Sequence, residues 1–141
     1  VDGASVDRLV KALEAHSARP MLLGPSSAPV KTADGKSLPV DASMEGMPSV
    51  MFDGILVPDG KASLEALAAS GLAKHFLLEG YKHLKAIGVA WQGKSLLDGV
   101  GLKADKGLLL GDDQKTVEAF VKAVQAHRVW EREAAAEAIP A

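Results

Sequence analysis

The chain is 141 residues long, 48% hydrophobic and 24% charged, with a formal net charge of −2, the balance of one globular domain with a single core and not of a disordered segment. Its 16 basic residues are scattered against 18 acidic ones, so no electrostatic drive leads to nucleic acid or an anionic membrane, and no apolar run approaches the ~20 residues of a helical membrane span. Zero cysteines exclude disulfides, zinc–thiolate sites, iron–sulfur clusters and every cysteine-nucleophile mechanism within the chain; with no basic-then-apolar order in VDGASVDRLV, the expectation is a soluble, cytoplasmic protein.

In chain order, Ser5 is the expected N-cap of a helix that carries Val6, Leu9, Val10 and Leu13 at i, i+3, i+4 and i+7 and ends near Ser17. RPMLLG follows as a short buried strand stopped by Gly24 and Pro25. PVKTADGKSLPV reads as a hairpin turning at Asp34-Gly35 in a type I′ turn. DASMEGMPS is a connector, and FDGILVPDG supplies a compact strand of the buried parallel kind. KASLEALAASG is a helix with Gly71 as its stop, and LAKHFLLEGYKHLKA is another that turns Leu72, Phe76, Leu77, Tyr81 and Leu84 inward. Strand AIGVA runs into a bend at Trp91-Gln92-Gly93, a short helix over Ser95 to Asp98, a strand at GLLLG, and a long final helix with Val117, Phe120, Val121 and Val124 on one face. This alternation predicts a mainly parallel sheet covered on both faces. A sheet of that kind normally begins with a strand, so the opening helix implies either a different sheet or a first strand upstream of Val1.

Several groups could carry chemistry. His75, Glu79 and His83 fall at i, i+4 and i+8 on one helical face, a chelating spacing without a third convergent ligand, and the expectation is no metal. Asp59, Asp112 and Asp113 sit at the carboxyl ends of strands, where ligands of α/β sheets bind, yet caps and turns use the same residues. Ser26, Ser27, Ser43 and Ser95 have no G-x-S-x-G context. Gly99 and Gly101 follow a helix with no third glycine in register, which excludes a dinucleotide fingerprint. The strand-to-helix bend at Trp91 has the form of a nucleophile elbow, but an indole is neither nucleophile nor acid–base catalyst. Trp91 is left with stacking on a ligand or partner when exposed, or plugging the crevice when buried.

FDGILVPDG, HFLLEGYKHLKAIGVA and AHRVWEREAAAEAIPA together resemble the C-terminal extension of large-subunit haem catalases, over nearly all 141 residues. YKHLK and AHRVW…IPA carry the most specific part of that likeness. The extension is similar to flavodoxin-like domains of the class I glutamine amidotransferase and intracellular-protease superfamily. The resemblance implies an α/β three-layer sandwich over residues 1–128, lacking its first strand, and a C-terminal tail over 129–141. Active members of the superfamily read A-x-C-H-G at the elbow; here Trp91 takes the cysteine position, Gln92 the histidine position, and Gly93 is kept. The partner glutamate would lie at the end of the first strand, upstream of Val1. The superfamily's amidase, protease or deglycase chemistry therefore does not carry over, and Trp91, Gln92 and Gly93 are expected to be vestiges.

The resemblance further implies that haem, and the tyrosine, histidine and asparagine around it, belong to a catalase region outside this chain, with no cofactor in the segment itself. The expected role is a non-catalytic accessory domain of a catalase that decomposes hydrogen peroxide to water and oxygen. It would pack on the catalase core, support a homotetramer and shape access to haem, and it could form a homodimer when isolated. Two other readings remain: a chaperone-like module that holds unfolded client proteins on open sheet edge and apolar surface, and an enzyme with a relocated nucleophile near VPDG or WQG.

Overall fold

The computed structural model describes residues 1–102 and 105–139. Helix α1 spans Gly3–Ala15. Its N-cap is Asp2, whose carboxylate accepts from the amides of Ala4 (2.9 Å) and Ser5 (3.4 Å). Ser5, the expected cap, is instead the third helical residue and fully buried. The helix ends two residues short of Ser17, which takes a left-handed φ of 61°.

The next region forms short strands, β1 (Leu23–Gly24), β2 (Val30–Lys31), β3 (Ser37–Leu38) and β4 (Ala42–Ser43). β2 and β3 make the expected hairpin, but its turn is not type I′. Only Gly35 has positive φ (84°), whereas that turn needs two such residues. The amide of Gly35 closes on the carbonyl of Thr32. β4 arises within the supposed connector and pairs in parallel with β1.

The larger sheet is parallel throughout: β5 (Gly54–Val57), β6 (Ala86–Val89) and β7 (Leu108–Leu110), in that spatial order. Between β5 and β6 lie α2 (Lys61–Ala69) and α3 (Gly71–Lys82). Gly71 does not stop α2 but opens α3; Ser70 ends the first helix and caps the second, its hydroxyl accepting from the Ala73 amide at 3.2 Å. Leu72, expected inward, is exposed, because the inward stripe of α3 runs through Ala73, Phe76, Leu77 and Tyr81. Leu84 lies beyond the helix, buried, at φ 63°, where its amide bonds to Tyr81 and that of Lys85 to Gly80, closing a Schellman end. α4 covers Lys94–Val100, wider than expected, and α5 covers Gln114–Gln125 with Asp113 as N-cap. α6 is one turn, Glu133–Ala136.

The strands separate two apolar layers. Val57, Ile87 and Val89 face Leu64, Leu77, Tyr81, Leu96 and Leu97 of α2, α3 and α4. Ala86 and Leu56 face Leu9 of α1 and Val117, Phe120 and Val121 of α5. This is the three-layer flavodoxin-like sandwich, with β6 buried at all four positions. Flavodoxin-like sheets order their strands 2-1-3-4-5, and β1, β5, β6 and β7 correspond in chain order to strands 2, 3, 4 and 5 of that scheme. Between β1 and β5 the sheet is interrupted: they belong to separate sheets, and among the described residues β5 pairs only with β6.

Candidate functional site

The bend after β6 is built by hydrogen bonds that hold its backbone between two neighbours. The Ala90 amide donates to the Val57 carbonyl at 3.0 Å and the Gly111 amide to that of Val89 at 2.8 Å. A 3₁₀ turn at Trp91–Gly93 leads straight into α4, with Gly93 donating to Ala90 at 2.7 Å. Gly93 is buried against Val89 and Leu64, where a Cβ would meet the Val89 side chain. The strand, tight turn and helix of a nucleophile elbow are therefore all present.

The two side chains it carries face solvent. Trp91 is 59% exposed and Gln92 is also exposed. The exposed reading of Trp91 is the one the geometry shows; it does not plug the crevice. One edge of the indole covers Gly111, whose added Cβ would lie 3.3 Å from Trp91 Cε2. The indole forms one wall of an open cleft of about 320 Å³ with Leu109, Leu110, Thr116 and Ala119. Among the described residues, its charged walls are Asp113 and Lys115. The Asp113 carboxylate is committed to capping α5, accepting from the amide (2.8 Å) and hydroxyl (2.9 Å) of Thr116. Those bonds, the backbone one foremost, lower its pKa.

The other carboxylates singled out at strand ends are structural as well. Asp112 accepts from the Ser5 hydroxyl at 2.7 Å and from Arg8 at 2.6 Å. Ser5 in turn accepts from the Asp59 amide at 2.9 Å. This chain of bonds joins α1 to the carboxyl ends of β5 and β7. Partial burial pushes the Asp112 carboxyl up, but the Ser5 and Arg8 hydrogen bonds and the guanidinium charge outweigh it, leaving the pKa lowered. Glu79 accepts from buried Ser49 at 3.0 Å while His75 and His83 are exposed. Among the described residues no group of three His, Asp or Glu side chains could hold a metal ion.

The strongest polar cluster was missed by sequence reasoning. Arg132, with its side chain fully buried, grips Asp105 through Nε (2.6 Å) and Nη2 (2.9 Å). Its Nη1 donates to the carbonyls of Lys85 (2.6 Å) and Tyr81 (3.3 Å), and the guanidinium lies 4.1 Å from the centre of the Tyr81 ring. Together with buried Val129 and Ala136, it holds the segment after residue 128 against α3. Nothing local in AHRVWERE marks Arg132 rather than Arg128 for burial; the partners lie 27 to 51 residues away.

The family of C-terminal domains found in long catalases matches residues 1–134. The chain belongs to that family. Over its full length, this catalase C-terminal domain is 78% identical to Catalase HPII of Pseudomonas putida, of which it covers 19%. It is 40% identical over 98% of its length to Catalase HPII of Pseudomonas aeruginosa, covering 20% of it, and 34% identical over 92% to Catalase-B of Dictyostelium discoideum, covering 19%. The domain thus spans about a fifth of the length of these relatives. In fold it is similar to Drosophila melanogaster DJ-1beta (TM-score 0.73, 15% identity, 94% of this chain and 87% of that one). Schizosaccharomyces pombe DJ-1 is similar too, with TM-score 0.71, 13% identity, and 96% and 91% covered. At such identities these structures speak for the flavodoxin-like architecture alone. Among the described residues no helix of the domain is long and apolar enough to cross a membrane.

Proposed function

We propose that the domain is a non-catalytic accessory part of a long haem catalase, packing on the catalase core, supporting its homotetramer and shaping access to haem, while the parent decomposes hydrogen peroxide. The observation that carries this reading is the elbow: its backbone is intact, but it presents Trp91 and Gln92 to solvent in a chain without a thiol. An exposed tryptophan over an apolar cleft is suited to contact with another protein surface. Haem does not fit the residues present. All four histidines are exposed, the single tyrosine is 1% exposed beneath Arg132, and neither described cleft is lined by histidine or tyrosine.

A peroxide-consumption assay and a visible absorption scan on the purified 141-residue chain test the reading. The expected result is no turnover above buffer and no Soret band after incubation with haem. Turnover accompanied by a Soret band would overturn it. The chaperone-like reading is second, favoured by exposed Val50, Met51 and Leu72. Suppression of thermal aggregation of a model client would promote it over the first.

A further inference from the structure

β7 is the last strand of the larger sheet in space as well as in chain order, and its outer edge pairs with no strand among the described residues. Its bonds run inward to β6: the Gly107 carbonyl accepts from the Ile87 amide at 2.7 Å, and the Gly111 amide donates to the Val89 carbonyl at 2.8 Å. Edges are usually guarded by charge or proline, and the three leucines of β7 supply neither. Leu108 packs into the layer of α2, α3 and α4 and Leu109 into that of α1 and α5, while Leu110 joins neither cluster.

The Trp91 cleft opens beside that leucine. Leu110, the exposed indole and Ala119, a small exposed residue of α5, are among its apolar walls. Its two charged walls, Asp113 and Lys115, are of opposite sign and both exposed. They do not satisfy each other, because side chains two residues apart at a helix start do not face one another. Among the described residues the Lys115 ammonium makes no salt bridge. Both hydrogen bonds to the Asp113 carboxylate end on Oδ1, which leaves Oδ2 without a donor. The surface is thus apolar at its centre, with one unpaired cation and one unpaired carboxylate oxygen at its margin.

We propose that the Trp91 cleft and the adjoining edge of β7 form a two-fold interface whose occupant is a second copy of this chain. The axis passes beside Leu110, so the two β7 edges run antiparallel and each indole closes against the cleft of the other copy. Lys115 of one copy then meets Asp113 Oδ2 of the other, twice. A two-fold interface must be complementary to itself, and one charge of each sign beside an apolar centre meets that condition. A partner of uniform charge would set one of the two against its like. β7 is short and the cleft open, so the contact belongs to the small, reversible class of interfaces. The inference rests on the accessory reading only in taking the Trp91 cleft as a protein-contact surface. A chain that stays monomeric overturns the dimer and leaves that reading to the peroxide assay.

Sedimentation equilibrium of the 141-residue chain tests it, at loading concentrations from about 5 to about 500 µM, which bracket a micromolar dissociation constant. The expected result is a monomer–dimer equilibrium that Trp91→Ala weakens by about thirtyfold. Lys115→Glu sets two acids against each other and should weaken it by about tenfold or more, while an acidic first turn suits the helix dipole and keeps α5 folded. Adding Asp113→Asn to Lys115→Glu retains a good N-cap and removes the repulsion, so most of the loss should be recovered. Should Trp91→Ala lose its fold by circular dichroism, the Lys115 and Asp113 variants carry the test. Hydrogen exchange at the Leu110 amide should slow as the concentration rises, with Gly54–Val57 unchanged. A monomer throughout, a dimer indifferent to Lys115→Glu or to a folded Trp91→Ala, no recovery with Asp113→Asn, or protection of Gly54–Val57 in place of Leu110 would each overturn it.

Discussion

Asp112 is where a single residue has the clearest measurable consequence. Its folded pKa is lowered, below the unfolded carboxylate value of about 3.9. Its stabilisation is therefore complete above that value and lost as pH falls through the folded one. Asp112→Asn should cost about 1–2 kcal/mol in urea unfolding at pH 7, and the gap to the parent should narrow at pH 3. Asp34, held at about 2 by the Thr32 hydroxyl first and Lys36 second, is unchanged by the substitution, so the difference between the two proteins is the quantity to read. Arg132 is the larger effect. Arg132→Met keeps the volume but strands Asp105, whose side chain is 10% exposed, and should cost about 3 kcal/mol. Urea unfolding monitored at 222 nm checks it, and a loss below 1 kcal/mol would show that water replaces the guanidinium. The carboxylates at strand ends were visible in the sequence as capping and turn residues. The buried Arg132 was not, because its partners are set by tertiary packing.

Among the elements, β5 and β6 depend on two glycines beneath one aromatic ring. A Cβ at Gly54 would lie 2.5 Å from Phe120 Cζ and 3.1 Å from the Ala86 carbonyl oxygen, and one at Gly88 would lie 2.5 Å from Leu56 Cδ2. Gly54→Ala pushes against a ring already packed into the α1–α5 layer, and should lower stability by about 1–3 kcal/mol. Gly88→Ala meets a flexible side-chain end and should cost less. Thermal unfolding of both variants tests the order. The elements themselves were legible from apolar periodicity: both long strands, α2, α3 and α5 lie where the pattern puts them. Their ends were not. Ser70 serves two helices and Asp2 displaces Ser5 because a cap is chosen by which side chain reaches free amides, and Ser5 is drawn instead to Asp112 and Asp59.

At the scale of the whole molecule, the sandwich and its interruption followed from an α/β alternation that opens on a helix. The exposure of Trp91 did not, since an apolar residue after a buried strand reads equally well as core or surface until its neighbours are placed. The Ser5–Asp112 bond spans 107 residues of sequence, and α1 packs on α5 from the far end of the chain. The β5–β6–β7 unit closes through shorter connections. Loop closure over so long a separation comes late when nearer contacts are available, so α1 is expected to dock after the folding transition state. Asp112→Asn should then accelerate unfolding several-fold and leave the refolding rate nearly unchanged in stopped-flow measurements. On that outcome, the bond that fastens the first helix to the end of the last strand is a latch on the way out of the native state with no part on the way in.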